Sequence, residues 1–297
     1  MSSMRAPRPP CRTGGFTLVE AIIVIVIVGI VGAIVAVFIR APVQGYADTA
    51  ARAAASDEAD LALRRIARDL RLALPNSVRV SDDGSAVEFL LTRTGGRYLT
   101  VDDDVDGFPV LDFDNPGKVS FTAVGGTMRR IERDDYIVVY NLGSGDESDA
   151  YRYAPLAKGV NIARVTGVDE ASPNNPVVSM DSNPFATQST PMRSPSDRFQ
   201  VVTGPVSYAC ERGKDGNSEL VRYWDYPIAP AQNLPPQGGA QRAVIASRVA
   251  DCSQVFRYGS DATRRSALVI LNLALRVSRD GDALVRLVSQ VHVDNTP

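Results

Sequence analysis

The chain has 297 residues, enough to bury a sizeable core, and its 32 basic and 34 acidic residues leave a formal net charge of -2. No strongly basic stretch points to nucleic acid, and there is no acidic tail. Hydrophobic residues make up 44% of the sequence but are unevenly placed: Phe16 to Ile39 is almost wholly apolar, and the rest reads as an ordinary soluble sequence.

Residues 1–15 are short and basic, with Arg5, Arg8, Arg12 and three prolines. Cys11 follows no lipobox, so lipidation is not expected. Gly14-Gly15-Phe16-Thr17-Leu18-Val19-Glu20 comes next, and the apolar run continues to Ile39, closed by Arg40. Roughly 20 apolar residues span a bilayer as a helix, so this run is long enough. A secretory signal has a shorter apolar region and a small-x-small cleavage site, and neither is found. A cytosolic core helix is disfavoured by the length and by the basic leader. Arginines before a span remain cytoplasmic, which places the large C-terminal part outside the inner membrane.

Glu20 stands out. A charge inside a spanning helix costs on the order of 2.5–3.5 kcal/mol near the bilayer centre, and less near its edge. Its position alone allows two readings: a functional acid, or a first-turn acid that reaches the interface and is favoured by the helix dipole.

Gly15-Phe16-Thr17-Leu18-Val19-Glu20, a short basic leader and an unbroken apolar run together resemble the processing motif of type IV pilins and type II secretion pseudopilins. The resemblance implies that an inner-membrane prepilin peptidase cuts between Gly15 and Phe16 and methylates the new Phe16 amine. In a fibre, Glu20 of one subunit would then pair with the Phe16 amine of its neighbour. It further implies contacts with other pilin subunits, with the inner-membrane assembly platform and with inner-membrane lipid, and no cofactor.

Past Arg40 the helical pattern continues, and Pro42 is expected to interrupt or kink it. Leu63, Ile66, Ala67, Leu70 and Leu74 recur at helical spacing, a face expected to dock on a C-terminal sheet. Asp60 and Arg64 sit in the favourable order for an ion pair, and Pro75-Asn76 is expected to stop the helix. Unbroken from Phe16 to Leu74, the helix would be roughly 90 Å long.

Strands are expected next. Val78–Val80 and Val87–Leu91 flank the turn Ser81-Asp82-Asp83-Gly84-Ser85; Tyr136–Tyr140 is a short apolar strand; Val206–Glu211 and Leu220–Trp224 flank a polar connection. The clearest hairpin is last. Val269, Leu271, Leu273, Leu275 and Val277 alternate, Arg279-Asp280-Gly281-Asp282 turns the chain, and Val285, Leu287, Val291 and Val293 resume the pattern. Residues 171–196 and 227–241 read as exposed loops. The layout is therefore a leader (1–15), a membrane and assembly segment (16–40), an amphipathic helical segment (41–75) and a β-rich periplasmic domain (76–297). The fold class is α+β, with one long helix against an antiparallel sheet.

If this domain is exported, Cys210 and Cys252 are the only candidates for a disulfide; the other reading is two unrelated buried thiols. The single histidine, His292, falls on the more polar face of the last strand and removes most triad and multi-histidine metal schemes. No phosphate-binding loop of the Walker type is present, and Gly143-Ser144-Gly145 reads as a loop, so an enzyme is not expected. Asp102, Asp104, Asp106 and Gly107 fit the first half of a calcium loop, but position twelve is Phe113; an acidic surface turn is the plainer reading.

Four later stretches resemble the MshO group of minor pilins, which serves biogenesis of the MSHA pilus: Tyr46–Ala50, Ala73–Arg79, Ser207–Glu211 and Gln290–Asn295. That resemblance implies a minor pilin and a Cys210–Cys252 pair. The alternatives are a minor pseudopilin of type II secretion and a tip adhesin.

Overall fold

The computed structural model describes residues 15–103, 105–143, 147–213, 217–263, 266–278 and 282–296. Helix α1 runs over Leu18–Leu70, and the chain divides into two units, one ending at Ala53 and the other spanning Ala54–Pro297. In the first unit the apolar side chains from Ile22 to Ile39 are exposed. Pro42 lies inside α1 and does not end it, contrary to the expected interruption. Pro removes one backbone donor, and the turns on either side keep theirs.

The second unit packs residues 54–70 of α1 against an antiparallel sheet. Its strands are β1 (Arg79–Val80), β2 (Ala86–Tyr98), β3 (Ser120–Val124), β4 (Tyr136–Val138), β5 (Ile162–Asp169) and β6 (Val177–Met180). They continue with β7 (Arg198–Arg212), β8 (Ser218–Trp224), β9 (Gln241–Val249), β10 (Phe256–Thr263), β11 (Ser266–Arg276) and β12 (Leu284–Asp294). Ala59, Ala62, Leu63, Ile66, Ala67 and Leu70 are buried against Val87, Phe89, Val206, Tyr208, Leu220 and the inward residues of β11 and β12. The alanines let the helix approach closely. Each large side chain removed from water there contributes about 1.5–3 kcal/mol.

The helix ends at Leu70, one turn earlier than the sequence suggests. Leu74 is buried, but as an extended residue. Its N–H donates to the Leu90 carbonyl (2.8 Å), and Thr92 N–H donates to the Leu72 carbonyl (2.8 Å). Pairing with β2 captures the backbone groups that another helical turn would have used.

Two polar clasps reinforce the seat. Asp69 accepts from Arg222 Nε (3.0 Å) and from the Tyr208 hydroxyl (2.8 Å). Glu58 accepts from Ser247 N–H (2.6 Å), from the Ser247 hydroxyl (2.8 Å) and from Arg248 (3.1 Å).

β2 and β7 are long enough to serve two cores. Their first contacts face α1. Farther along, β2, β3, β6, β5, β4 and β7 pair in turn, and the ring closes because β7 also pairs with β2. Phe121, Ile137, Val165, Val178, Phe185, Phe199 and Val201 form a separate core there. The register between β2 and β7 shifts near Leu91–Thr92, opposite Gly204 at φ +136°. A bulge at that point bends the pair from one core to the other, in a conformation that glycine adopts without strain.

The stretch 171–196 is therefore not simply a loop. Val177–Met180 is strand β6, with Val178 and Met180 buried, and it bridges β3 and β5. The expected strand Tyr136–Tyr140 stops at Val138, and Tyr140 has φ +52°. Cys210 of β7 and Cys252, beyond β9, form a disulfide with 42 residues of sequence separation.

Asp69→Ala should destabilise the second unit by about 2–3 kcal/mol in a denaturant titration, because Arg222 and Tyr208 lose a largely buried partner. Asp60→Ala, which breaks a pair whose side chains are 47% and 73% exposed, should change stability by less than about 0.5 kcal/mol. Cys252→Ser should cost about 2–4 kcal/mol in the same titration, as expected for opening a closed loop of this length.

Candidate processing and assembly site

Residues 15–17 are not helical, and α1 begins at Leu18. Gly15 is exposed with no atom near its absent Cβ, and the Phe16 side chain is 78% exposed. The Gly15–Phe16 bond therefore lies outside the helix, between two exposed residues.

Thr17 starts the helix. Its carbonyl accepts from Ala21 N–H (3.1 Å), and its Oγ1 accepts from Glu20 N–H (3.3 Å). Thr17 is the N-cap, and Glu20 is the third helical residue, the spacing of a capping box. The sequence reading singled out Glu20 but passed over Thr17, although Thr-x-x-Glu before an apolar run is a visible signal. Glu20 also sits where the positive end of the helix dipole favours an anion. Its side chain is exposed, as are those of the apolar residues that follow.

The sequence of this region matches a known family model. Residues 11–36 match the prokaryotic N-terminal methylation motif. The match takes in Gly15, Phe16, Glu20 and the start of α1, and it supports a prepilin-type precursor. Comparison with curated proteins and with solved structures finds no match. Residues 1–14, upstream of Gly15, lie outside the described residues. The helix that carries the motif is, by length and composition, long and apolar enough to cross a membrane, and with the motif this suggests a membrane-anchored protein.

The second unit holds the remaining sequence candidates. Asp102 and Asp106 are exposed, and Asp104 lies outside the described residues. Asp103, between them, is engaged: its carboxylate accepts from Thr100 N–H (2.8 Å), the Thr100 hydroxyl (2.8 Å) and Arg97 (2.7 Å). Phe113, at the twelfth position of the calcium pattern, is buried in the ring core. Among the described residues no three His, Cys, Asp or Glu side chains gather as a metal site. His292 is exposed on β12. Ser144 and Gly145 lie outside the described residues. Gly143 is fixed by contact, since a Cβ there would fall 2.1 Å from the Asn76 carbonyl oxygen.

A buried charge cluster escaped the sequence reading. Glu88, 2% exposed, accepts from Arg79 (2.5 Å) and from the Ser207 hydroxyl (3.2 Å). The Arg79 guanidinium lies 3.7 Å from the Tyr151 ring centre and donates to the carbonyls of Ala229 (3.0 Å) and Pro230 (2.7 Å). Burial pushes the Glu88 carboxyl up, and Arg79 opposes it. The cluster fastens the proline-rich stretch 227–240 to β1 and β2.

Asp103 gives a pH test. The Thr100 N–H, then Arg97 and the Thr100 hydroxyl, hold its carboxyl at about 2, below its ordinary 3.8. A depressed carboxylate adds stability above its unfolded pKa and loses it as pH falls through the folded one. The difference in Tm between the wild type and Asp103→Asn should be full at about pH 5 and close between about 3.8 and 2. A pH-independent difference would refute the assignment.

Proposed function

We propose that the chain is a prepilin-type precursor. A prepilin peptidase in the inner membrane removes residues 1–15 and methylates the new Phe16 amine, and the mature chain becomes a subunit of a pilus. The observation that carries this reading is the arrangement at the helix start. An open Gly15–Phe16 bond, the Thr17 cap and Glu20 precede an apolar helix with no protein cover. Arg5, Arg8 and Arg12 keep the leader cytoplasmic and the second unit periplasmic.

Assembly follows from electrostatics. Cleavage creates an ammonium at Phe16, and Glu20 of an adjacent subunit is its natural partner. A carboxylate left alone in an apolar layer is expensive, whereas a paired one is tolerated. Registered neighbours are therefore favoured over slipped ones. Subunit exchange with other pilins and delivery through the inner-membrane assembly platform belong to this reading.

Within the class, we assign the chain to the minor pilins of MSHA-type biogenesis. The support is the four MshO-like stretches. Two of them, Ala73–Arg79 and Gln290–Asn295, meet where Asn76 N–H donates to Asn295 Oδ1 (3.1 Å) and Asn76 Nδ2 donates to the Asn295 carbonyl (3.2 Å). A third supplies Cys210 of the disulfide.

Intact-mass analysis of the mature protein tests the class: the expected species begins at Phe16 and carries one extra methyl group. A Met1 start in cells with active peptidase would overturn the proposal. Glu20→Ala should remain in the membrane, while its share in sheared fibres falls about tenfold or more, equivalent to about 1.4 kcal/mol. Normal incorporation of that variant would remove the assembly role.

A further inference from the structure

We infer that the free edge of β12 receives an extended, acidic segment of a neighbouring subunit as an added strand. Three observations carry this.

The first is the edge itself. β12 is 11 residues long and pairs with β11 in unbroken register from Ser266↔Asp294 to Arg276↔Leu284. Among the described residues its other edge pairs with nothing. The usual protections of an edge strand, a proline or a bulge, are missing from it. A regular row of backbone donors and acceptors is what strand addition requires.

The second is a groove of about 400 Å³ along that strand, between it and α1. Its apolar lining is Leu63, Ala67 and Leu287, with Ser289 beside Leu287 and Asp60 at one end; Leu63 and Ala67 belong to the helix-facing core. Val288, at the rim, is 61% exposed.

The third is charge. Arg64 and Arg68 on α1, and Arg71 just past its end, stand exposed beside the groove. Arg64 pairs with Asp60 within the helix. Arg68 and Arg71 have no ion-pair partner among the described residues. A strand laid on β12 would present alternate side chains to this wall. Acidic residues in that set would meet the two free guanidinium groups, and apolar ones would cover Leu63 and Leu287. A basic or uniformly polar segment would leave either the charge or the apolar lining unsatisfied. The occupant is therefore an extended segment whose wall-facing side chains, every second residue, include both acidic and apolar ones.

The subunit reading above supplies only the identity of the partner as another fibre subunit. The test uses the full-length chain in fibre-forming cells, with a benzophenone amino acid in place of Val288. Illumination should give an adduct whose cross-linked peptide is an extended acidic segment of another subunit. Arg68→Glu combined with Arg71→Glu should cut the yield about tenfold, and the corresponding lysine pair should restore most of it. Both positions are exposed, so an unchanged melting transition checks that the variants fold. No adduct, an adduct on a neighbour's helix or on lipid, edge-to-edge capture of a second β12, or a yield indifferent to charge reversal would each overturn the inference. Mass analysis of the same samples scores cleavage before Phe16. A cleaved chain without the adduct defeats this inference alone, and an uncleaved chain defeats the precursor reading.

Discussion

Uncovered hydrocarbon between Ile22 and Ile39 is the constraint on which the rest of the molecule depends. The side chains there are Val, Ile, Ala, Gly and Phe, and they are exposed, with no cover from the described residues. Such a surface cannot remain in water, so lipid or neighbouring helices must cover it. Lipid and a bundle of like helices are nearly equivalent to an apolar side chain. A helix of this kind can therefore pass from one to the other at little cost, and polar groups decide where it stops. Thr17 and Glu20 are the polar groups available at its start. Thr17 satisfies a backbone donor, and Glu20 places an anion at the positive end of the dipole.

The second unit solves a different problem, that of holding an amphipathic helix on a sheet. Small residues bring the helix close, Leu63, Ile66 and Leu70 fill the interface, and Glu58 and Asp69 add directional bonds. These two carboxylates are more informative than the exposed Asp60–Arg64 pair. They are bonded to groups from β7, β8 and β9, so they fix where along the sheet the helix sits. The sheet extends beyond the helix by closing a second ring on the far parts of β2 and β7, with its own aromatic core. Two strands shared between two cores tie the halves of the unit into one structure.

Three carboxylates of the second unit are each held by several partners. Glu88 is bonded to Arg79 and Ser207, Asp103 to Thr100 and Arg97, and Asp69 to Arg222 and Tyr208. Each carboxylate ties together segments distant in sequence or closes a turn.

Sequence alone determined whatever depends on local order: the apolar run, the Gly15–Phe16–Glu20 spacing, the helical stripe at Leu63, Ile66 and Leu70, and the final hairpin with its alternation. These signals lie within one helix or one turn, where period and spacing are physical consequences of the backbone. Tertiary structure decided the rest. The helix stops at Leu70 because β2 claims the next backbone groups. Val177–Met180 becomes a strand because β3 and β5 lie on either side of it. Glu88 is buried because Arg79 and the stretch after Pro227 close over it. Each of these needs at least one partner distant in sequence, β3 for Val177–Met180 and the stretch after Pro227 for the Arg79–Glu88 pair, and no local pattern encodes a partner that only folding brings near.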